Sequence, residues 1–404
     1  MIPFRRATLL YKAARRSYCK RIGALSALFV SALLCGLAFS SCGRPAGDPP
    51  AALAAAEGQG WPLQNGRLAL ALASDGTLAP VQGAEYFNEP RPEPRPYATQ
   101  EALAAIAVQG RRLVLALNRI GLQSLTLRSE PEGKNGAAGQ AGGARVFIDA
   151  LGSPAGLFLS RSVGKFWPFG ATLRLFLYRH PYFETEPKTD TSHIFLELAS
   201  ESAEEATEQA SSLQHAQIGG ADIYAIYPLG QGKLLYQTRE ERGERVLSAY
   251  GRFDERAGTA QAMGKQAFEA ALQPLPLSAA PKELRTLADL VPGDIVIELT
   301  RADASTQSYS RGSLAESTQA WARLSAGGAI LAAADGRGAY LPAAGGASGQ
   351  PRAFNLSVEL GWPGMRFRDP CLFDGLAAFI WEEELFPLLG RSGLLLVDCT
   401  ELGL

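Results

Sequence analysis

Two sets of carboxylates stand where their type and spacing could do chemistry unaided: Asp369 with Asp374, and the run Glu382, Glu383 and Glu384. Paired acids held at a fixed separation hydrolyse glycosides, one protonating the leaving oxygen while the other acts as base or nucleophile. Each set also has a plainer reading. Asp374-Gly375 is the dipeptide of a tight hairpin turn, and the Glu run suits an outer strand or turn. Arg366-Phe367-Arg368-Asp369 can close a salt bridge within itself. The plainer readings are favoured over catalysis.

The other chemical signatures are weaker. Residues 258–266 read Gly-Thr-Ala-Gln-Ala-Met-Gly-Lys-Gln, a near-miss for a phosphate loop. Five residues separate its glycines instead of four, and Gln266 stands where the magnesium-holding Ser or Thr belongs. There is no Gly-x-Ser-x-Gly elbow, no His-Glu-x-x-His pair and no calcium loop. His180, His193 and His215 have no ligand spacing, and two body cysteines cannot close a zinc site, so no metal and no cofactor is expected. Aromatic density peaks at Phe166-Trp167-Pro168-Phe169 and again at residues 178–183. Flat rings on an end face suit sugar or peptide binding. Trp167, Tyr178, His180 and Tyr182 are the candidate ligand-binding residues, with Arg174 and Arg179 as nearby anion binders; packing inside the fold is the competing reading.

The elements that must position these residues read as strands. Short apolar stretches flank Gly-containing turns at residues 118–121, 229–232, 335–338 and 390–393, with Asn65-Gly66 ahead of them. Turn centres near 121, 231, 336 and 393 lie 110, 105 and 57 residues apart, which suggests a period near 55 with further copies near 175 and 285. Repeats of roughly 40–50 residues, each a four-stranded sheet, characterise β-propellers. The expectation is an all-β, β-propeller-like body of six to eight four-stranded blades over residues 61–404, with paired β-sandwiches as the alternative. Residues 130–145 read as a loop, 201–215 as an exposed helix or loop, 259–272 as a short helix and the Pro-alternating 89–96 as an extended connector.

The N-terminal segment carries a separate message. Arg5, Arg6, Lys12, Arg15, Arg16, Lys20 and Arg21 precede an uncharged run, residues 22–41, which closes on Phe39-Ser40-Ser41-Cys42. A basic region, an apolar helix-length region and small residues at a cleavage point make an export signal. The segment resembles a bacterial lipoprotein signal peptide with a relaxed, spirochaete-type lipobox. That resemblance implies a cleaved signal peptide over residues 1–41, lipidation at Cys42 (palmitate among the acyl chains), and a Pro- and Gly-rich tether over residues 42–60. It implies a lipid-anchored, extracytoplasmic address in the cell envelope, on the periplasmic or surface face.

Cleavage would change the charge. The whole chain has 39 basic and 40 acidic residues and a formal charge of −1; losing seven basic residues and no acidic one leaves −8. Such a body repels nucleic acid and anionic headgroups, so the membrane partner is reached through lipid alone. An extracytoplasmic address permits a disulfide between Cys371 and Cys399; two separate buried thiols are the alternative. The expected function is a binding or scaffold role toward an envelope protein or glycan. A carbohydrate-active or other hydrolytic enzyme on a propeller scaffold is the alternative.

Overall fold

The computed structural model describes most of residues 60–400, leaving out 1–59, 82–101, 130–143, 180–192, 199–222, 313–320 and shorter stretches. Alternation along single strands builds its layers. In the strand Arg112–Leu117, Leu113, Leu115 and Leu117 enter one apolar cluster while Val114 and Ala116 enter another. Successive side chains of a strand point to opposite faces, so a continuous apolar run means a sheet covered on both sides.

The first sheet has the order β1-β7-β6-β5-β4, from β1 (Trp61–Pro62), β4 (Leu103–Gln109), β5 (Arg112–Leu117), β6 (Gly121–Ser129) and β7 (Ala144–Ala150). The second runs β10-β9-β8, from β8 (Arg161–Phe169), β9 (Thr172–Arg179) and β10 (His193–Leu198). The third is a meander of β11 (Ile223–Gly230), β12 (Lys233–Arg242), β13 (Arg245–Asp254) and β14 (Thr259–Met263). The fourth holds seven strands: β15 (Leu275–Pro276), β17 (Thr306–Arg311), β16 (Ile295–Thr300), β18 (Trp321–Ser325), β19 (Gly328–Ala332), β20 (Arg337–Pro342) and β21 (Arg352–Asn355). In the fifth, β22 (Met365–Phe373), β23 (Leu376–Glu383) and β24 (Ser392–Asp398) continue into β2 (Arg67–Leu72) and β3 (Leu78–Pro80) from the other end of the chain. Pairing is antiparallel except between β15 and β17 and at one bridge from β16 to β18.

Among the described residues, four apolar clusters tie the sheets in series and a fifth lies within the fourth sheet. Trp167 and Phe176 of the second sheet meet Leu234, Tyr236 and Phe253 of the third. Leu173, Leu175 and Leu177, on the opposite face of β9, meet Val114 and Ala116 of the first. The first sheet's other face meets Leu394 and Leu396 of the fifth, while Leu395 and Val397 of the same strand face Ile330 and Tyr340 of the fourth. Within the fourth, Ile295 and Ile297 pack with Ala329 and Leu331. Strand β4 also touches β8 and β22, β11 touches β8 and β17, and β18 touches β22.

Among the described residues the α-helices are α1 (Lys265–Leu272), α2 (Lys282–Leu290) and the single turn α3 (Leu356–Leu360). On α2, Leu284, Leu287 and Ala288 fall on one face at helical spacing and enter the fourth sheet's core.

The turn chemistry matches the sequence. Asn65-Gly66, Gln231-Gly232 and Asp374-Gly375 all have positive φ at both residues, as two-residue hairpins require. Two expectations fail. Residues 259–263 form strand β14 and only Lys265–Leu272 is helical, because Gly264 separates two elements that the spacing of Met263, Phe268 and Leu272 had merged. The turn copy expected near 285 falls inside α2. The segments 89–96, 130–143 and 201–215 lie outside the described residues.

Candidate functional site

Arg368 organises a polar cluster on β22. It projects from β22, where the register with β23 slips between Arg368 and Cys371 and Asp369 takes a φ of 51°. The neighbouring β4 slips against β5 between Leu103 and Ala105. A bulge frees backbone groups from the ladder. Here Arg368 takes up two of them, its Nη2 donating to the Leu103 carbonyl at 2.8 Å and Nη1 to the Ala104 carbonyl at 2.8 Å. Its Nε donates to Glu382 Oε1 at 2.8 Å, and Nη1 also contacts Asp369. Burial works against the Arg368 charge, but Asp369 and Glu382 more than offset it and hold the guanidinium protonated. The side chain is still 30 % exposed, so the cluster can be reached from solvent.

The remaining acids are placed elsewhere. Asp374 opens the hairpin turn at the far end of β22 and contacts Arg111 Nη2 at 3.4 Å. Four residues of strand lie between it and Asp369, a span of about 12–16 Å, whereas glycosidase carboxylates stand roughly 5–9.5 Å apart. Glu383 does not decorate an outer surface. It is 3 % exposed and accepts from the Arg391 backbone N–H at 2.7 Å and from Arg391 Nη2 at 2.9 Å, since alternation turns it to the face opposite Glu382. Glu384 lies outside the described residues.

The aromatic candidates are not brought together. Trp167 is 4 % exposed and packs with Phe176 and Tyr236 between two sheets, so it is core rather than a ligand platform. Tyr178 sits in β9 opposite His193 and Ser162, its side chain undescribed; His180 and Tyr182 lie outside the described residues. Arg174 is not an exposed anion binder either. It forms a buried ion pair with Glu255 at 2.9 Å, the two side chains 8 % and 1 % exposed, joining β9 to the turn after β13. The sequence carried half of that signal: one charge between Leu173 and Leu175 in an otherwise apolar strand.

No group of three or more His, Cys, Asp or Glu side chains that could hold a metal ion occurs among the described residues. Cys371 and Cys399 are buried thiols, not a disulfide: Cys371 packs in the cluster between the first and fifth sheets, Cys399 in that between the fifth and fourth. Burial pushes the Cys399 thiol up to about 11, with Asp398 adding to it against a hydrogen bond from Tyr340. Burial likewise pushes the Tyr340 hydroxyl up to about 12. Because the thiolate is the reactive form, Cys399 is expected to resist a thiol-specific reagent near pH 8 in the folded body and to react on denaturation. Rapid modification of the native protein at Cys399 would contradict the buried setting.

A family model matches residues 84–401. The chain belongs to DUF8086, a family of unknown function. The matched stretch takes in β4 to β24 and begins after β1, β2 and β3, although these complete the first and fifth sheets of this DUF8086 member. Among solved structures, the AtxE2 isopeptidase in its apo form is similar over 74 % of this chain and 52 % of its own, at 12 % identity and a TM-score of 0.29. This DUF8086 chain thus spans about half of that protein's length. BamB from Moraxella catarrhalis is similar over 83 % of this chain and 78 % of its own, at 12 % identity and a TM-score of 0.22. No curated protein matches. Likenesses this distant do not bear on the activity of the DUF8086 member.

Proposed function

We propose that this DUF8086 member is a lipid-anchored, extracytoplasmic binding or scaffold protein of the bacterial cell envelope, with a propeller-like body. The leader ending at Cys42 carries the address: seven basic residues, an uncharged apolar run, then a Cys after small residues. The propeller-like body is supported by sheets that share clusters in series, by β4, β8, β11, β17, β18 and β22 touching or bridging in turn back to β4, and by β2 and β3 completing the sheet of C-terminal strands. Paired sandwiches would leave each sheet one solvent face, whereas the first, second and fifth sheets bury both. A binding role is favoured over hydrolysis because Asp369 and Glu382 share one guanidinium, Glu383 holds Arg391, and Asp374 forms a turn. The partner is an envelope protein or glycan met by loops at one end of the sheets. No nucleic acid is expected, given the acidic body that remains after cleavage.

The test is Cys42→Ala in cells fed an alkynyl palmitate. Loss of label and release of the protein from the membrane fraction is the expected result. Unchanged labelling would overturn the anchor and the address together.

A further inference from the structure

From Arg256 to Ala279, Phe268 is the one buried residue. This stretch is tied at both ends, β14 pairing with β13 and β15 with β17, and it carries α1 between them. The helix has little of its own to hold it. Its eight residues fall well below the length at which an isolated helix is stable. Its N-terminus has no side-chain cap and no acidic residue in the first turn, and its last turn has no basic one. Lys265 instead puts a positive charge at the positive end of the helix dipole, and its exposed pair with Glu269 at 3.5 Å runs in the less favourable order. What docks the helix is the Phe268 ring, edge-on to Tyr227 at 5.8 Å and tilted against Tyr250 at 4.7 Å. The register puts both tyrosines on one face of the third sheet, on the strands either side of β12 and opposite the face of Tyr236 and Phe253.

We propose that α1 is a strap whose latch is Phe268, that it opens while the sheets stay folded, and that the Tyr227–Tyr250 cradle it bares binds an aromatic side chain of a peptide partner. The chain's own ring holds the site shut, and that ring identifies the class of occupant. A phenyl group enters edge-on to one tyrosine and tilted against the other, geometries that aromatic pairs favour beyond the area they bury. It does so from a helix that buries nothing else, so a ring presented by another chain meets the same two tyrosines. Opening breaks no ladder. The bonds from the Phe268 N–H to the Gly264 carbonyl and from the Gln273 N–H to the Glu269 carbonyl close within the segment, and β14 and β15 keep their partners. At the hinge, nothing stands within 4 Å of where a Cβ on Gly264 would be, so the chain has room to turn. Because the strap is tethered at both ends, Phe268 competes at a high effective concentration. The contact is therefore autoinhibitory, relieved when this low-stability unit opens and a partner's ring takes its place. The cradle is one site for the binding role proposed for the body, and it is independent of the lipid anchor.

The full chain, purified in detergent, tests both the strap and the site. Lysine-specific cleavage after Lys265, assigned by mass, samples the open strap, since proteolysis of a transiently opened segment tracks its open population. Phe268→Ala should speed that cut at least about tenfold, as loss of a buried aromatic side chain requires. The melting temperature of the body and hydrogen exchange in β12 and β13 should change little, because the opening is local. Nitration of Tyr250 by tetranitromethane should accelerate in step with the cut. A peptide with the sequence of residues 264–273, added in excess to the Phe268→Ala protein, should then slow nitration back toward the parent rate, and the same peptide carrying Phe268→Ala should not. A cut after Lys265 no faster in Phe268→Ala, or faster only together with a fall in melting temperature and a general loss of protection, would make Phe268 ordinary core and overturn the strap. Nitration indifferent to the phenylalanine peptide, or slowed equally by both peptides, would overturn the site. Neither outcome touches the result expected of Cys42→Ala, so failure of the cradle and failure of the envelope address are told apart.

Discussion

Glu255→Gln is expected to destabilise the body by about 3–5 kcal/mol, the usual effect of leaving a buried charge without its partner. The substitution keeps size and shape and removes only the charge that faces Arg174, whose side chain is 8 % exposed beside Trp167 and Phe176. The ion pair is a buried polar link between the second and third sheets, so the loss should register as a drop in melting temperature of roughly 5–10 °C. The double change Arg174→Met with Glu255→Leu should recover most of that loss, because two apolar side chains need no desolvated charges to be matched. Thermal unfolding of Arg174→Met, Glu255→Leu and their double variant closes a cycle. A Glu255→Gln protein as stable as the parent would mean that water reaches the pair and that the two sheets are not closed over it.

Much of the local structure was legible in the residues. Asn65-Gly66 and Asp374-Gly375 turn as their types require, and the apolar run 113–117 is a strand buried on both faces. The failures share one physical cause, which is that tertiary pairing is invisible to local pattern. Met263, Phe268 and Leu272 have near-helical spacing, yet residues 259–263 extend because β13 offers them a ladder. Trp167 reads equally well as a binding ring or as core, and only the arrival of Tyr236 and Phe253 from another sheet decides it. The acids behave likewise. Glu382 and Glu383 are adjacent in sequence, but the pleat sends one to Arg368 and the other to Arg391, and Arg368 reaches the carbonyls of Leu103 and Ala104 in a distant part of the chain. A candidate site that looked like an acid pair thus became the joint between β22 and β4.

Gly393→Ala should be more damaging than its one added methyl suggests, costing about 4 kcal/mol or more, beyond the usual range for overpacking. A Cβ at Gly393 would overlap the Leu70 carbonyl oxygen and lie 2.8 Å from ring carbons of Trp381. Neither neighbour can yield. Leu70 is backbone of β2, paired here with β24, and its carbonyl also accepts from the Trp381 indole N–H at 3.0 Å; Trp381 is fully buried against Trp362. The methyl therefore pushes the N-terminal strand off the C-terminal one, at the contact that joins the two ends of the body. Trp381→Phe tests the same contact from the other side: it removes the indole donor to the Leu70 carbonyl and should cost about 0.5–1.5 kcal/mol. Gly375→Ala is the control. Its φ of 84° makes Ala unfavourable but nothing stands within 4 Å, so the loss should stay near 1 kcal/mol. Hydrogen exchange should show protection in β2 falling selectively in Gly393→Ala. If β2 stays protected and the melting temperature is unchanged, then the close approach of β24 to β2 at Gly393 does not hold β2 in the fifth sheet.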